Sequence, residues 1–158
     1  STGTSKVYAV SGQLQSVVRN VVVIKRPDSI AFNGSAEDTI RIKAPTSGVA
    51  IDTSKSVAVT VRAGTTLSTP VRVKFELLRR GVPLAPADTG TYALVTTGAR
   101  LSTVDTTDGT GVASRILRIR TASGASVTDS LAVRATVTMA GPLKSKPILR
   151  TVLILPAP

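Results

Sequence analysis

Between residues 99 and 139 the chain reads ARLSTVDTTDGTGVASRILRIRTASGASVTDSLAVRATVTM, three runs in which apolar and polar side chains alternate. Successive side chains of an extended chain point to opposite faces, so a period of two marks a strand with one dry and one wet face. A turn-rich knot, Asp105-Thr106-Thr107-Asp108-Gly109-Thr110-Gly111, and a Ser/Gly/Asp loop over 123–130 separate the runs. A chain patterned this way must find a second apolar layer to cover the dry faces.

The same pattern recurs upstream. Ile40 and Ile42 alternate with Arg41 and Lys43, Val57, Val59 and Val61 with Ala58, Thr60 and Arg62, and Val71, Val73, Phe75 and Leu77 with Arg72, Lys74 and Glu76. Further strands are predicted at 6–10, 17–24, 29–32, 92–95 and 148–155. Asn33-Gly34, Gly64-Thr65 and Arg80-Gly81 read as turns, since glycine and asparagine reach positive φ at little cost. No window of eleven or more residues has helical spacing. Short strands about ten residues apart favour an antiparallel sandwich over a parallel α/β sheet. With 158 residues, 3% aromatics and no tryptophan, the core has to be built from Val, Ile, Leu and Ala, which suit a pleated surface.

From Ser56 onward the order of features resembles the bacterial immunoglobulin-like domains of the invasin/intimin type (Big_1-like). The elements that carry the resemblance are VAVTVRAG at 57–64, VRVKFELL at 71–78, Gly81-Val82-Pro83 and ARLS at 99–102. The most specific is Thr106-Thr107-Asp108-Gly109-Thr110-Gly111-Val112-Ala113, in which Asp108 is placed to accept backbone amides of its own turn. In the family the Gly-Val-Pro triplet more usually precedes the strand. The resemblance implies an all-β, immunoglobulin-like antiparallel β-sandwich over 46–158. It also implies a non-catalytic role in adhesins, surface proteins or secreted assemblies. Residues 1–45 lie outside the match and read as an N-terminal extension: extra strands at a sheet edge, a docking arm, or part of a preceding, degenerate domain.

The chemistry available to the chain is narrow. There is no histidine and no cysteine, which removes Ser-His-Asp and Cys-His catalysis, disulfides and ordinary zinc sites. Most of the nine acids fall in turns, and Glu76, the one acid well inside a strand, is predicted to pair with basic neighbours on the wet face. Asp105 and Asp108 supply too few ligands for a calcium loop, and Gly109 and Gly111 are not followed by the Lys-Ser/Thr of a phosphate loop. The expectation is no enzyme, no cofactor and no metal.

Charge and apolar exposure carry what remains. Twenty bases against nine acids give a net charge of +11, suited to an anionic surface. Most bases fall on the polar beat of a strand, and Arg72, Lys74, Arg115, Arg118, Arg120 and Arg134 are the candidate basic face. VVRNVVVI at 17–24 is apolar on both beats except for Arg19 and Asn20, so Val17, Val18, Val21, Val22, Val23 and Ile24 are the candidate partner-binding residues. That run is far too short to span a bilayer. The expected role is a structural, protein-binding subunit of an extracytoplasmic assembly, at the cell surface or in the periplasm, such as a membrane-associated complex or filament. It would act after loss of a signal peptide and make contacts through sheet edges and the N-terminal arm. The alternative is a capsid-type, nucleic-acid-associated β-sandwich using the basic face. Nucleic acid is disfavoured because Tyr8, Phe32, Phe75 and Tyr92 are too scattered to form a stacking platform.

Overall fold

The computed structural model describes residues 3–23, 25–43, 51–84, 90–121, 128–139, 141–144 and 146–157. Fifteen strands lie among the described residues. The first four are β1 (Gly3–Val7), β2 (Val10–Ser11), β3 (Leu14–Gln15) and β4 (Arg19–Val23); next come β5 (Ser29–Phe32), β6 (Glu37–Ile42), β7 (Ile51–Ala63) and β8 (Thr66–Leu67). Then follow β9 (Arg72–Arg79), β10 (Val82–Pro83), β11 (Tyr92–Val95), β12 (Val104–Thr106), β13 (Val112–Thr121), β14 (Asp129–Val137) and β15 (Ile148–Pro156). Among the described residues no helix is long and apolar enough to cross a membrane.

Two sheets face each other. One runs β11-β13-β7-β5, with β8 on the end of β7; the other runs β10-β9-β14-β15-β6, with β12 on the outer edge of β9. Lettering β5, β7, β9, β11, β13, β14 and β15 as A to G gives sheets A-B-E-D and G-F-C. That is the strand order of an immunoglobulin-type sandwich, and the fold expected from the sequence is the one observed. All pairings are antiparallel except β6 with β15, where Thr151 lies beside Glu37 and Pro156 beside Ile42.

The alternation sorts side chains as the pattern requires. Val57, Val59 and Val61 of β7, Val73 and Phe75 of β9, Leu117 and Ile119 of β13, Leu131 and Val133 of β14, and Val152 and Ile154 of β15 all point inward and are buried. Burying each such side chain contributes about 1.5–3 kcal/mol. Phe75 is the only aromatic side chain that is fully buried, so the layers are joined almost wholly by branched aliphatics.

Residues 29–42, which the sequence groups with the extension, are hydrogen-bonded into both sheets. β5 pairs with β7 and β6 with β15, so this segment crosses from one layer to the other at Asn33-Gly34. Gly34 has φ +90, and a Cβ there would sit 3.4 Å from the Arg150 guanidinium. That guanidinium reaches across from β15, donating to the Asn33 carbonyl at 2.9 Å and to Asp38 at 2.9 Å. The loop before β13 is held equally firmly. Asp108 Oδ1 accepts from the Thr110 and Val112 amides at 2.8 and 3.1 Å, as the sequence suggests. Gly111 has φ +68 and lies where a Cβ would come within 3.0 Å of the Val61 carbonyl. Buried Thr107 donates to the Ser68 carbonyl and accepts the Val71 amide, tying the turn to the start of β9.

The extension before residue 27 is different. β1 and β4 form a separate two-stranded antiparallel sheet, Gly3 opposite Val23 and Val7 opposite Arg19, with the β2–β3 hairpin at its tip. Every described side chain from 3 to 26 is exposed.

Candidate interaction surface

The hairpin gathers an apolar surface that no core requires. Val7, Tyr8, Val10, Leu14, Val17, Val18, Val21 and Val23 are between 44% and 80% exposed. Of the predicted partner-binding residues, Val17, Val18, Val21 and Val23 are thus open to solvent. Val22 lies in β4 opposite Thr4, and its side chain, like all of Ile24, lies outside the described residues. Among the described residues the strand is paired along one edge only, and every described side chain of the hairpin is exposed. Tyr8, Val10 and Leu14 were not singled out by sequence reasoning. They belong to short runs without alternation, and only their position at the hairpin tip shows them.

The six predicted basic residues do not form one face. Arg72, Lys74 and Arg134 lie on the outer side of the β9–β14–β15 sheet, and Arg118 and Arg120 on the outer side of the opposite sheet. Arg115 points inward: it is buried, pairs with Asp105 at 3.1 Å, and donates to the Ser114 and Val104 carbonyls. The alternation of β13 explains this, because Ala113, Arg115, Leu117 and Ile119 share its inner face. Its charge predicts the wet side for Arg115, and the register of β13 puts it on the dry one.

Most acids are already engaged. Glu76 contacts Lys74 at 2.9 Å on its own strand and Arg134 at 3.0 Å across to β14. Lys74, against the cost of partial burial and with help from Arg134, holds the Glu76 carboxyl below the usual range. Burial pushes the Asp38 carboxyl up, but hydrogen bonding and attraction from Lys55, with Arg150 and the Thr39 amide, outweigh it and leave a lowered value. Asp129 follows the same balance. Burial raises it, while Tyr92 Oη at 2.9 Å, the Ser130 amide and Arg79 at 2.8 Å lower it further. Exposed Asp108 is lowered by the Thr110 hydroxyl and the turn amides. Each depressed carboxylate is accounted for by a structural partner.

A groove of about 490 Å³ opens at the edge where β9 and β11 part, lined by Leu77, Leu84, Tyr92, Leu94 and Leu101, with Lys74 and Glu76 at the rim. Among the described residues Glu76 is the only acid in its lining. Among the described residues no group of three or more potential metal-ligating acids occurs.

No protein-family model matches the chain, and no curated protein sequence is significantly similar to it. Among solved structures, WR4, a C. elegans MSP family member, is 11% identical over 81% of this chain and 97% of its own, with a TM-score of 0.39. The ASH/PapD-like domain of human CEP192 (PapD-like domain 7) is 10% identical over 90% of this chain and 96% of its own, with a TM-score of 0.42. At these scores the fold assignment rests on the strand order of the two sheets.

Proposed function

We propose that the chain is a non-catalytic structural and protein-binding subunit of an extracytoplasmic assembly, at the cell surface or in the periplasm, and that it engages its neighbours through the N-terminal hairpin. The observation that carries this is the set of eight large apolar side chains between Val7 and Val23 left open to water. A two-stranded sheet with bare faces is marginal on its own, and its free edges are templates for another strand. The sandwich supplies a mount: its core is closed, and most of its described acids serve ion pairs and turns. The extracytoplasmic setting and the kinship with invasin/intimin-type domains rest on the resemblance read from the sequence. The Asp108 turn, with Gly111 at positive φ, supports that kinship.

The test is removal of residues 1–24 from the chain in its native cells. The truncated protein should keep the far-ultraviolet spectrum and thermal unfolding of the sandwich and no longer co-fractionate with a larger complex. A truncated chain that assembles as before would contradict the proposal.

A further inference from the structure

The proposed hairpin contact leaves the chemistry of the partner open, and the root of the hairpin addresses it. Arg26 packs over the 141–146 turn, its Cδ and Cβ 3.7 and 3.8 Å from where a Cβ on Gly141 would lie. The Lys144 and Lys146 amides close that same turn onto Gly141 and Leu143. Arg62 is opposite Ser29 at the foot of β5, and the Arg72 carbonyl accepts the Thr138 amide just before the turn. Lys25, Arg26, Arg62, Arg72, Lys144 and Lys146 therefore ring the end of the sandwich from which the hairpin leaves. All six are exposed, and none takes part in an ion pair among the described residues. The exposed carboxylates at this end are Asp28, which accepts the Gly64 amide, and Asp108, which caps its turn, so the six bases outnumber them. Lys6 and Arg19 extend the charge up the hairpin, residues 1–27 contain no acid, and 7–18 contain no charge at all.

We infer that hairpin and collar form one docking surface for an acidic protein segment, an extended strand with apolar side chains on one face and carboxylates on the other. This rests on the hairpin reading and adds the sign of the partner. Three features favour that occupant. The free edges of β1 and β4 need backbone hydrogen-bond partners, which another strand supplies and a bilayer interior does not. The collar needs anions at the foot of the hairpin, within reach of a strand lying along it. A second copy brings the same charge of +11, which opposes self-association.

The experiment measures fluorescence anisotropy of a labelled alternating Val-Glu peptide on the full chain. Three probes accompany it: the matching Val-Gln peptide, a short DNA duplex, and vesicles of phosphatidylcholine with phosphatidylglycerol. The Val-Glu peptide should bind, weaken steadily with added salt, and lose about tenfold or more on the variant carrying Lys25→Glu, Arg26→Glu, Lys144→Glu and Lys146→Glu. These four positions are exposed, so circular dichroism of that variant should match the parent. Equal binding of the Val-Gln peptide, lost when 1–24 is removed, overturns the acidic partner and leaves the hairpin contact standing. Undiminished Val-Glu binding without 1–24 overturns the hairpin contact itself. Tighter binding of DNA or of the vesicles, or no binding of the Val-Glu peptide, overturns the inference.

Discussion

β4 and β7 are both valine-rich strands, yet they end in opposite circumstances. In β7, Val57, Val59 and Val61 are at most 2% exposed, because β5 and β13 flank the strand and the other sheet covers its inner face. In β4, Val21 and Val23 are 45% and 46% exposed, and β1 is the strand's only neighbour among the described residues. Residues 57–62 of β7 carry valine on one beat and are covered on that face; the 17–24 segment is apolar on both beats apart from Arg19 and Asn20, and its described side chains are all exposed. Apolar content shows that a strand needs covering and leaves open whether its own chain does it. The difference separates a finished domain from an unfinished surface.

The difference breaks down if equivalent changes in the two regions have equivalent effects. Phe75→Ala empties the one fully buried aromatic site and should cost about 3–5 kcal/mol in urea unfolding, while Tyr8→Ala at the hairpin tip should stay within about 0.5 kcal/mol. Asp38→Ala leaves Arg150 buried beside the β5–β6 crossover without its carboxylate and should cost about 3 kcal/mol; Arg150→Met, which removes the buried charge too, should cost clearly less. Val59→Thr buries a hydroxyl in the core and should cost about 1–3 kcal/mol by the same assay, whereas Val21→Thr should leave stability unchanged.

Acid sharpens the contrast with a smaller effect. Asp38, Glu76 and Asp129 are all held below their usual values. The unfolded chain therefore binds more protons than the folded one as they titrate. Their contribution is fully present above the unfolded values and is lost as the pH falls below about 4 and through the folded ones. Residues 1–27 have no carboxylate, so melting temperature against pH should fall in parallel with and without 1–24, and Asp129→Asn should flatten the fall.

Much of the sandwich was legible because alternation is a local signal. The strands at 57–61, 71–77, 112–120 and 131–139, the Asn33-Gly34 turn and the Asp108 turn all lie where the residues indicate. Two things were not. That residues 29–42 split between the sheets depends on Arg150, more than a hundred positions later, whose guanidinium holds Asn33 and Asp38 together. The collar is equally non-local: Arg26 meets the 141–146 turn only once the fold is closed, so a list of bases along the chain could not reveal it. Arg115 fails for another reason, since a charge on the apolar beat is hidden until Asp105 is seen to meet it.

Native-state hydrogen exchange on the intact, unbound protein tests most directly the claim that the hairpin stands outside the cooperative core. Amides of β7, β13 and β14 should exchange only through global unfolding, and those paired between β1 and β4 should exchange far faster, through local opening. Protection of Thr4 and Val21 as strong as that of Leu117 would show that the hairpin belongs to the core, and the account would fail.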